Sequence, residues 1–196
     1  MHINFYMQRW DIINALIKKN GYKTYLEIGT QHGTCFTRIQ ADYKECVDPE
    51  KVFDGLTHVM TSDQYFAQNT KKFDIVFVDG LHTELQTRTD ILNAFEILNP
   101  YGTIVAHDCL PDRIEATMPW YCGTSYMAPI YFRTNRSNIT FNVVDTDCGC
   151  GVFRKGTSEL YTKATYEQAR NYDYYAANKK ELMNVITPEE FRKLYA

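Results

Sequence analysis

The sequence has no apolar run that approaches the ~20 residues required for a membrane-spanning helix. It also lacks a CxxC pair, a His pair at zinc-finger spacing and any excess of basic residues. Its 21 Lys and Arg face 24 Asp and Glu, which gives a net charge of −3 and no positive field for nucleic acid. The first twenty residues are amphipathic and lack the apolar core and cleavage site of a signal peptide. These absences predict a cytoplasmic protein with no membrane or nucleic-acid partner.

The remaining composition is that of a globular protein, with 44% hydrophobic and 23% charged residues over 196 positions. A chain of this length can bury a sizeable core, so we expect a single domain spanning residues 1–196. Six scattered cysteines favour reduced thiols. Cys148-Gly149-Cys150 could form a redox or metal pair, but a connection between strands is the favoured interpretation. The sequence predicts no particular oligomeric state.

The stretch TYLEIGTQHGTC, at residues 24–35, organises the predicted fold. An apolar strand at residues 24–28 stops at Gly29, and Gly33 follows four residues later. This pattern predicts a tight turn that presents backbone N–H groups at the start of a helix near Thr34, continuing through residues 36–40. Glu27 lies inside the strand, where a carboxylate is costly to bury without partners. A ligand hydroxyl or ammonium, or nearby backbone N–H groups, could supply those partners.

A second acidic residue, Asp48, ends the next short strand nineteen positions after Gly29. In nucleotide-binding α/β folds, an acid at about 20 residues beyond the glycine turn binds ribose hydroxyls. The alternative is a solvated Asp at a strand end. Together with Glu27 and the turn, the spacing favours ribose binding.

Two further apolar strands end at polar residues. Residues 73–78 stop at Asp79, and residues 103–106 stop at His107-Asp108. Near-continuous apolar strands are typical of a buried parallel sheet, whose ligand crevice lies outside the carboxyl ends of the strands. Helices are predicted at residues 5–19, 64–70, 84–98, 125–133, 165–180 and 187–195, a weak strand at 57–60, and an antiparallel hairpin at 139–144 and 151–154.

Two histidines, His82 and His107, follow these strand ends and are candidates for a general base, because imidazole titrates near neutrality. Asp79 and Asp108 could orient an imidazole, or could hold a divalent metal such as Mg²⁺ together with His107. The structural alternative is that His82 caps the following helix and His107 makes a buried hydrogen bond. Four such side chains at adjacent strand ends favour a functional role for at least some of them.

The ordered motifs resemble those of class I S-adenosylmethionine-dependent methyltransferases, most closely a small bacterial and viral subgroup of the family 24 type. The resemblance covers residues 22–156, with the helices at 5–19 and 165–195 as additions. Where many such enzymes have another glycine, this chain has Gln31. The matching segments are LEIGTQHGT at 26–34, CVDPE at 46–50, SDQYF at 62–66, FDIVFVDGLHT at 73–83, ILNPYGTIVAHDC at 97–109 and DCGCGVFRKG at 147–156.

The resemblance implies a Rossmann-like α/β fold with a seven-stranded, mostly parallel sheet, an antiparallel last hairpin and helices on both faces. It implies S-adenosyl-L-methionine as cofactor and a small molecule or sugar as acceptor, methylated on oxygen. The implied cofactor residues are Glu27 at the methionine amino group, Gly29, Thr30 and Gly33 in the turn, Asp48 at the ribose, Ser62 and Asp63 at the adenine, and Asp79 at the methionine end.

Two other functions use similar folds. A nicotinamide-dependent oxidoreductase is disfavoured, since the turn lacks G-x-G-x-x-G and no Tyr-x-x-x-Lys is paired with a suitable Ser. A non-catalytic nucleoside-binding module would keep the cleft without turnover. The acceptor pocket is expected between residues 111 and 131, with Trp120, Tyr121 and Tyr126 as candidate walls.

Overall fold

The computed structural model describes residues 6–195. The helices are α1 Arg9–Asn20, α2 Ser62–Gln68, α3 Glu84–Ile97, α4 Met127–Asn135, α5 Tyr166–Ala169, α6 Tyr172–Leu182 and α7 Pro188–Tyr195, with 3₁₀ turns at Phe36–Arg38 and Ile114–Thr117. The strands are β1 Thr24–Ile28, β2 Tyr43–Asp48, β3 His58–Val59, β4 Phe73–Val78, β5 Leu98–Ala106, β6 Ile139–Val144, β7 Cys150–Lys155 and β8 Val185–Ile186.

The strands form one sheet in the order β3-β2-β1-β4-β5-β7-β6-β8. β1 to β5 pair in parallel, whereas β7 runs antiparallel to both β5 and β6. The chain order reverses between β1 and β4, so the crevice outside these two strands is the expected ligand position for such a sheet. The described part of the chain has eight strands rather than the seven expected, because the short β8 adds to β6 in parallel.

Alternating side chains of the sheet divide the core between its two faces. On one face, Leu26 and Val76 belong to the cluster that includes Phe95 of α3. On the other face, Tyr25 and Ile75 belong to a cluster formed with α1 and α7. Each central strand is therefore covered on both sides, which explains its nearly continuous apolar sequence and confirms the expected arrangement of helices on both faces.

The prediction of a helix after the glycine turn is wrong, since residues 36–40 contain only the 3₁₀ turn Phe36–Arg38. The ammonium of Lys44 donates to the carbonyls of Phe36 (2.8 Å) and Ile39 (3.1 Å), and the Gln40 N–H donates to Asn14 Oδ1 (2.8 Å). These tertiary hydrogen bonds satisfy backbone groups that a longer helix would have paired internally. The segment consequently turns directly towards β2.

Other helices form near their predicted positions with shifted ends. α1 begins at Arg9 rather than at residue 5, which lies outside the described residues. The single helix predicted at 165–180 is divided into α5 and α6, because the Asn171 side chain accepts the Asp173 and Tyr174 N–H groups as the N-cap of α6. α7 begins at Pro188 after Thr187, as its sequence indicates.

Candidate functional site

The glycine turn is held tightly against the end of β4. Gly29 has φ +83°, and a Cβ at this position would lie 2.0 Å from the backbone oxygen of Asp79. Gly33 has φ +71°, and its Cβ would lie 2.7 Å from the Phe53 ring. Both positions therefore require glycine, for backbone conformation and for space. This contact brings the ends of β1 and β4 together at one mouth.

The same turn is joined to the end of β2 through Asp48. One Asp48 oxygen accepts the Gln31 N–H (2.8 Å) and the other accepts the Glu50 N–H (2.9 Å). Gln31 has φ +46°, so it adopts the left-handed conformation that glycine favours. The departure from glycine at this position therefore preserves the turn geometry, and Asp48 remains half-exposed beside it.

Glu27 is buried beneath the turn and accepts a hydrogen bond from the Tyr25 hydroxyl. Burial raises the pKa of Glu27 to about 8, although the hydrogen bond from Tyr25 opposes this increase. The neighbouring Thr30 is also buried, and its hydroxyl makes no hydrogen bond of ordinary geometry with residues 6–195. The mouth therefore contains a largely protonated carboxyl group and an unpaired hydroxyl.

A polar cluster at the start of α2 includes both predicted adenine-side residues. The Gln86 side-chain N–H₂ lies within hydrogen-bond distance of Ser62 Oγ (3.2 Å), Asp63 Oδ1 (3.1 Å) and Asp90 Oδ1 (3.0 Å). Asp90 is 1% exposed, and burial raises its pKa to about 6. Gln86 and Asp90 were not predicted as site residues from the sequence. An acidic residue on the apolar face of the predicted helix, at Asp90, was a signal that could have indicated them.

A second network joins the ends of β4 and β5. Asp79 Oδ1 lies 3.3 Å from His107 Nδ1, which is 3.2 Å from Asp108 Oδ1. The other Asp108 oxygen lies 3.2 Å from His82 Nε2, while His82 Nδ1 hydrogen bonds to the Tyr121 carbonyl. The structure thus brings His82, His107, Asp79 and Asp108 into one connected group, as their positions at strand ends predicted.

The two histidines differ in access. His107 is 5% exposed, and carboxylates face both its ring nitrogens, with Asp147 Oδ1 3.5 Å from Nε2. Burial opposes its protonation, but the carboxylates raise the pKa of His107 well above its usual value. The His82 side chain is half-buried at 32% exposure, and its pKa is raised mainly by the hydrogen bond to Asp79. Of the two, only His82 has a surface open to an incoming molecule.

Arg9, from α1, is a site residue that the sequence did not reveal. Its guanidinium donates to Asp79 Oδ2 (2.7 Å) and forms two bonds with Asp147, Nε to Oδ2 (2.9 Å) and Nη2 to Oδ1 (3.0 Å). Arg9 and His107 hold the pKa of both carboxylates well below its usual range, against the opposing effect of burial. No local pattern marked this pairing, because Arg9 and Asp147 are 138 positions apart.

The predicted Mg²⁺ ligands are close together but already have partners. Asp79, His82 and Asp108 each offer a ligand atom within 4.8 Å of the others, with His107 on the buried side. However, one Asp79 oxygen is paired with the Arg9 guanidinium. Mg²⁺ prefers an octahedral shell of oxygen atoms. This set of two imidazoles, a guanidinium-paired carboxylate and one further carboxylate fits Mg²⁺ poorly.

The segment over the mouth contains the aromatic residues suggested as acceptor walls. Trp120 is 81% exposed and Tyr121 is 40% exposed. Tyr126 is fully buried, with its ring centroid 4.7 Å from that of Tyr175. Tyr126 is therefore part of the core, and only the first two side chains are available to a ligand.

Comparison with known proteins agrees with this geometry. A methyltransferase-domain family model of the family 24 type matches residues 26–109. No curated protein matches the sequence significantly. Among the residues that the structure describes, no helix combines the length and apolar character needed to cross a membrane.

Solved structures resemble the chain in fold. A candidate caffeoyl-CoA O-methyltransferase from Staphylococcus aureus has a TM-score of 0.57 at 17% identity, over 75% of this chain and 82% of that one. The O-methyltransferase TomG from Streptomyces achromogenes, solved with S-adenosylmethionine, has a TM-score of 0.54 at 16% identity, over 75% and 79%. The N-methyltransferase NodS from Bradyrhizobium japonicum has a TM-score of 0.50 at 17% identity, over 76% and 93%. Residues 26–109 thus match a methyltransferase-domain family, and the fold around them is that of class I S-adenosylmethionine-dependent methyltransferases.

Proposed function

We propose that this protein transfers a methyl group from S-adenosyl-L-methionine to an oxygen atom of a small molecule or sugar. The observation that carries the proposal is the shared mouth of four parallel strands. There the glycine turn contacts Asp79 and hydrogen bonds to Asp48. The match of residues 26–109 to a methyltransferase family supports the same function.

The nucleoside half of the cofactor is assigned to the side of the mouth nearest β2 and α2. Asp48 keeps a half-exposed carboxylate that can accept hydrogen bonds from both ribose hydroxyls. We assign the adenine to Ser62 and Asp63, which lie together beside Gln86. Gly29 and Gly33 let the turn pack directly against Asp79 and Phe53, which fixes the position of its backbone at the mouth. The unpaired Thr30 hydroxyl supports this assignment, because a buried polar group without a partner is costly.

The methionine half is assigned to Glu27 and Asp79. An ammonium group beside Glu27 would favour the ionised carboxylate and offset the cost of burying it. Asp79 carries a negative charge at the end of the adjacent strand β4, where Arg9 and His107 fix its position. The two carboxylates together make the mouth suitable for a cationic amino acid portion and a sulfonium.

The chemical step is an in-line displacement at an already activated methyl group, so the protein must align the acceptor and remove its proton. Alignment contributes roughly 7–11 kcal/mol in favourable cases. We assign proton removal to His82. Its Nδ1 donates to the Tyr121 carbonyl and its Nε2 faces an Asp108 oxygen at 3.2 Å, so His82 and Asp108 act as one base. As the acceptor oxygen bonds to the methyl carbon, its O–H bond breaks and the proton is held between Nε2 and the Asp108 carboxylate. A positioned base of this kind contributes about 10²–10⁴-fold.

His107 is assigned a positioning role instead of direct proton transfer. Its buried ring bridges Asp79 and Asp108, and Asp147 Oδ1 lies 3.5 Å from its other nitrogen. Loss of His107 would free both carboxylates that orient His82. Since the donor set fits Mg²⁺ poorly, no step of the proposed reaction passes through that ion.

Calorimetric titration provides the first test. We expect S-adenosylhomocysteine to bind and NADH not to bind; the reverse result would favour an oxidoreductase. An acceptor panel of phenols, hydroxy acids and sugars, assayed by release of S-adenosylhomocysteine, then tests turnover. Binding without turnover on any acceptor would favour the non-catalytic module.

The histidine assignments need matched variants once an acceptor is found. His82→Ala should keep cofactor affinity and slow transfer by about 10²–10⁴-fold. His107→Ala should also bind cofactor and transfer more slowly, and His107→Gln should recover part of the rate by restoring hydrogen bonds. His58, a half-buried histidine on β3 paired with Glu45, provides the control substitution His58→Ala, which should leave transfer unchanged. Wild-type turnover in both site variants would show that neither histidine takes part.

A further inference from the structure

Two cysteines from separate loops lie beside Asp108 at the edge of the proposed site. Cys122 follows the 3₁₀ turn Ile114–Thr117, and Cys148 lies in the loop between β6 and β7. The two sulfur atoms and an Asp108 oxygen all lie within 4.8 Å of one another. Cys122 and Asp108 are buried, whereas Cys148 is half-exposed. Methyl transfer as proposed above uses neither thiol.

The chemistry of this set differs from that of an oxygen cluster. Thiolates select soft or borderline cations such as Zn²⁺ over Mg²⁺. Two sulfurs and one carboxylate oxygen are ligands typical of zinc sites, with Zn–S near 2.3 Å and Zn–O at about 2.0–2.2 Å. A tetrahedral ion with these bond lengths would separate its ligands by about 3.4–3.8 Å. The three ligand atoms, at most 4.8 Å apart, would need to approach one another by no more than about 1.4 Å to reach that arrangement.

The backbone is strained at the residues that present these ligands. Asp108 has φ +56° and Cys148 has φ +59°, and neither is a glycine. Such left-handed residues cost free energy and persist where the surrounding structure fixes them. The Leu110 N–H donates to the Cys148 carbonyl (2.9 Å), which ties the β6–β7 loop to the segment after β5. Both ligand residues are therefore held in place before any ion binds.

A neighbouring group of possible ligands is less suitable. His107, Asp147 and Cys150 also approach one another within 4.8 Å. However, Arg9 already pairs with both oxygens of Asp147, and its positive charge would oppose a second cation. In the set formed by Asp108, Cys122 and Cys148, the carboxylate faces the imidazoles of His82 and His107, each at 3.2 Å. An imidazole can lose its proton when a cation binds, whereas the guanidinium of Arg9 cannot.

We propose that Asp108, Cys122 and Cys148 form a site for a thiophilic divalent cation of the zinc class, with three protein ligands and an open fourth position. Bound there, the ion would link the segment over the mouth to the ends of β5 and β6. The half-exposed Cys148 gives the ion a route from solvent. The proposal shares Asp108 with the methyl-transfer site but does not depend on transfer itself.

The test uses the full chain, freed of metal by a chelator and kept in a phosphine reductant. Titration with Co²⁺ should produce thiolate-to-cobalt charge-transfer absorption that saturates at one equivalent. Calorimetry should show Zn²⁺ binding that excess Mg²⁺ does not displace. Cys122→Ser and Cys148→Ser should each abolish the absorption and weaken Zn²⁺ binding by more than about 100-fold, beyond the 10–100-fold typical of outer-shell changes.

Cys150→Ser is the matched control, because it removes a nearby buried thiol from the less suitable group and should leave Zn²⁺ binding intact. Loss of binding in Cys150→Ser alone, or absorption that persists in both Cys122→Ser and Cys148→Ser, would overturn the proposal. If a variant fails to fold by circular dichroism, alkylation of the wild type decides: Zn²⁺, and not Mg²⁺, should protect Cys148 from iodoacetamide. Equal alkylation with and without Zn²⁺ would refute the site. S-adenosylhomocysteine binding, measured on the same sample, reports separately on the proposed function.

Discussion

Glu27 provides a sharp test of the cofactor site, since its ionisation should be coupled to ligand binding. Its pKa of about 8, against an ordinary value of 4.5, corresponds to roughly 5 kcal/mol against the buried carboxylate. At pH 7 this group is therefore about 0.9 protonated in the free protein. An ammonium placed beside it would favour ionisation, so binding of S-adenosylhomocysteine should release close to one proton.

The raised pKa of Glu27 determines the direction in which ligand affinity changes with pH. Below pH 8 the ligand must remove a proton from Glu27 in order to bind, and above pH 8 it need not. The affinity should therefore increase with pH, by about fivefold from pH 7 to pH 8, and then level off. Calorimetry in buffers of different ionisation enthalpy gives the proton count directly.

Glu45 provides a matched control on the adjacent strand. It is also a buried glutamate, but Lys71 and its other hydrogen-bond partners lower its pKa to about 2 despite burial, so it is already ionised at pH 7. Glu27→Gln should abolish proton release, and Glu45→Gln should retain it. No proton release by the wild type, or equal release by Glu27→Gln, would refute the role of Glu27 in binding the ammonium.

Three further predictions concern stability and affinity. Gly29→Ala should lower the free energy of unfolding by more than ~2 kcal/mol, whereas Gly21→Ala, at φ +67° in open space, should cost only ~1 kcal/mol in urea melts; equal losses would contradict the close contact. Burial raises the pKa of Asp90 to about 6 from 3.8. Protonation of Asp90 therefore stabilises the folded state, and this contribution to stability is fully present below pH 3.8 and lost as the pH rises through 6. Asp90→Asn should remove up to about 3 kcal/mol of that pH dependence, and an unchanged profile would show that Asp90 titrates normally. Asp48→Ala should weaken S-adenosylhomocysteine binding by more than about tenfold, and the exposed control Asp42→Ala should not, both by calorimetry; unchanged affinity in Asp48→Ala would exclude its ribose role.

Much of the sheet could be predicted because its signals are local. A few neighbouring residues are enough to predict the apolar strand Phe73–Val78 and the glycine turn at Gly29. The same holds outside the sheet for the start of α7 at its proline. Where tertiary contacts competed with local preference, prediction failed. Lys44, for example, donates hydrogen bonds to two carbonyls of the segment that was expected to continue as a helix.

The candidate site divides in the same way. Residues at strand ends, such as Asp48, Asp79 and His107, could be gathered in advance because parallel strands place their carboxyl ends at one edge. Their roles in binding and transfer remain predictions. The sequence could not indicate that His82 is accessible while His107 is enclosed, since access depends on which segments pack above them.

The sequence by itself determined the central strands of the sheet, the position where the turn needs glycine, and the polar residues that follow the strands. Only the tertiary structure decided that Arg9 pairs with Asp79 and Asp147, and that Cys122 meets Cys148 beside Asp108. The physical reason is the sequence separation over which each kind of interaction acts. Backbone preferences and side-chain periodicity act over a few residues, whereas a salt bridge or a ligand set forms between groups that only the complete packing of the chain brings together.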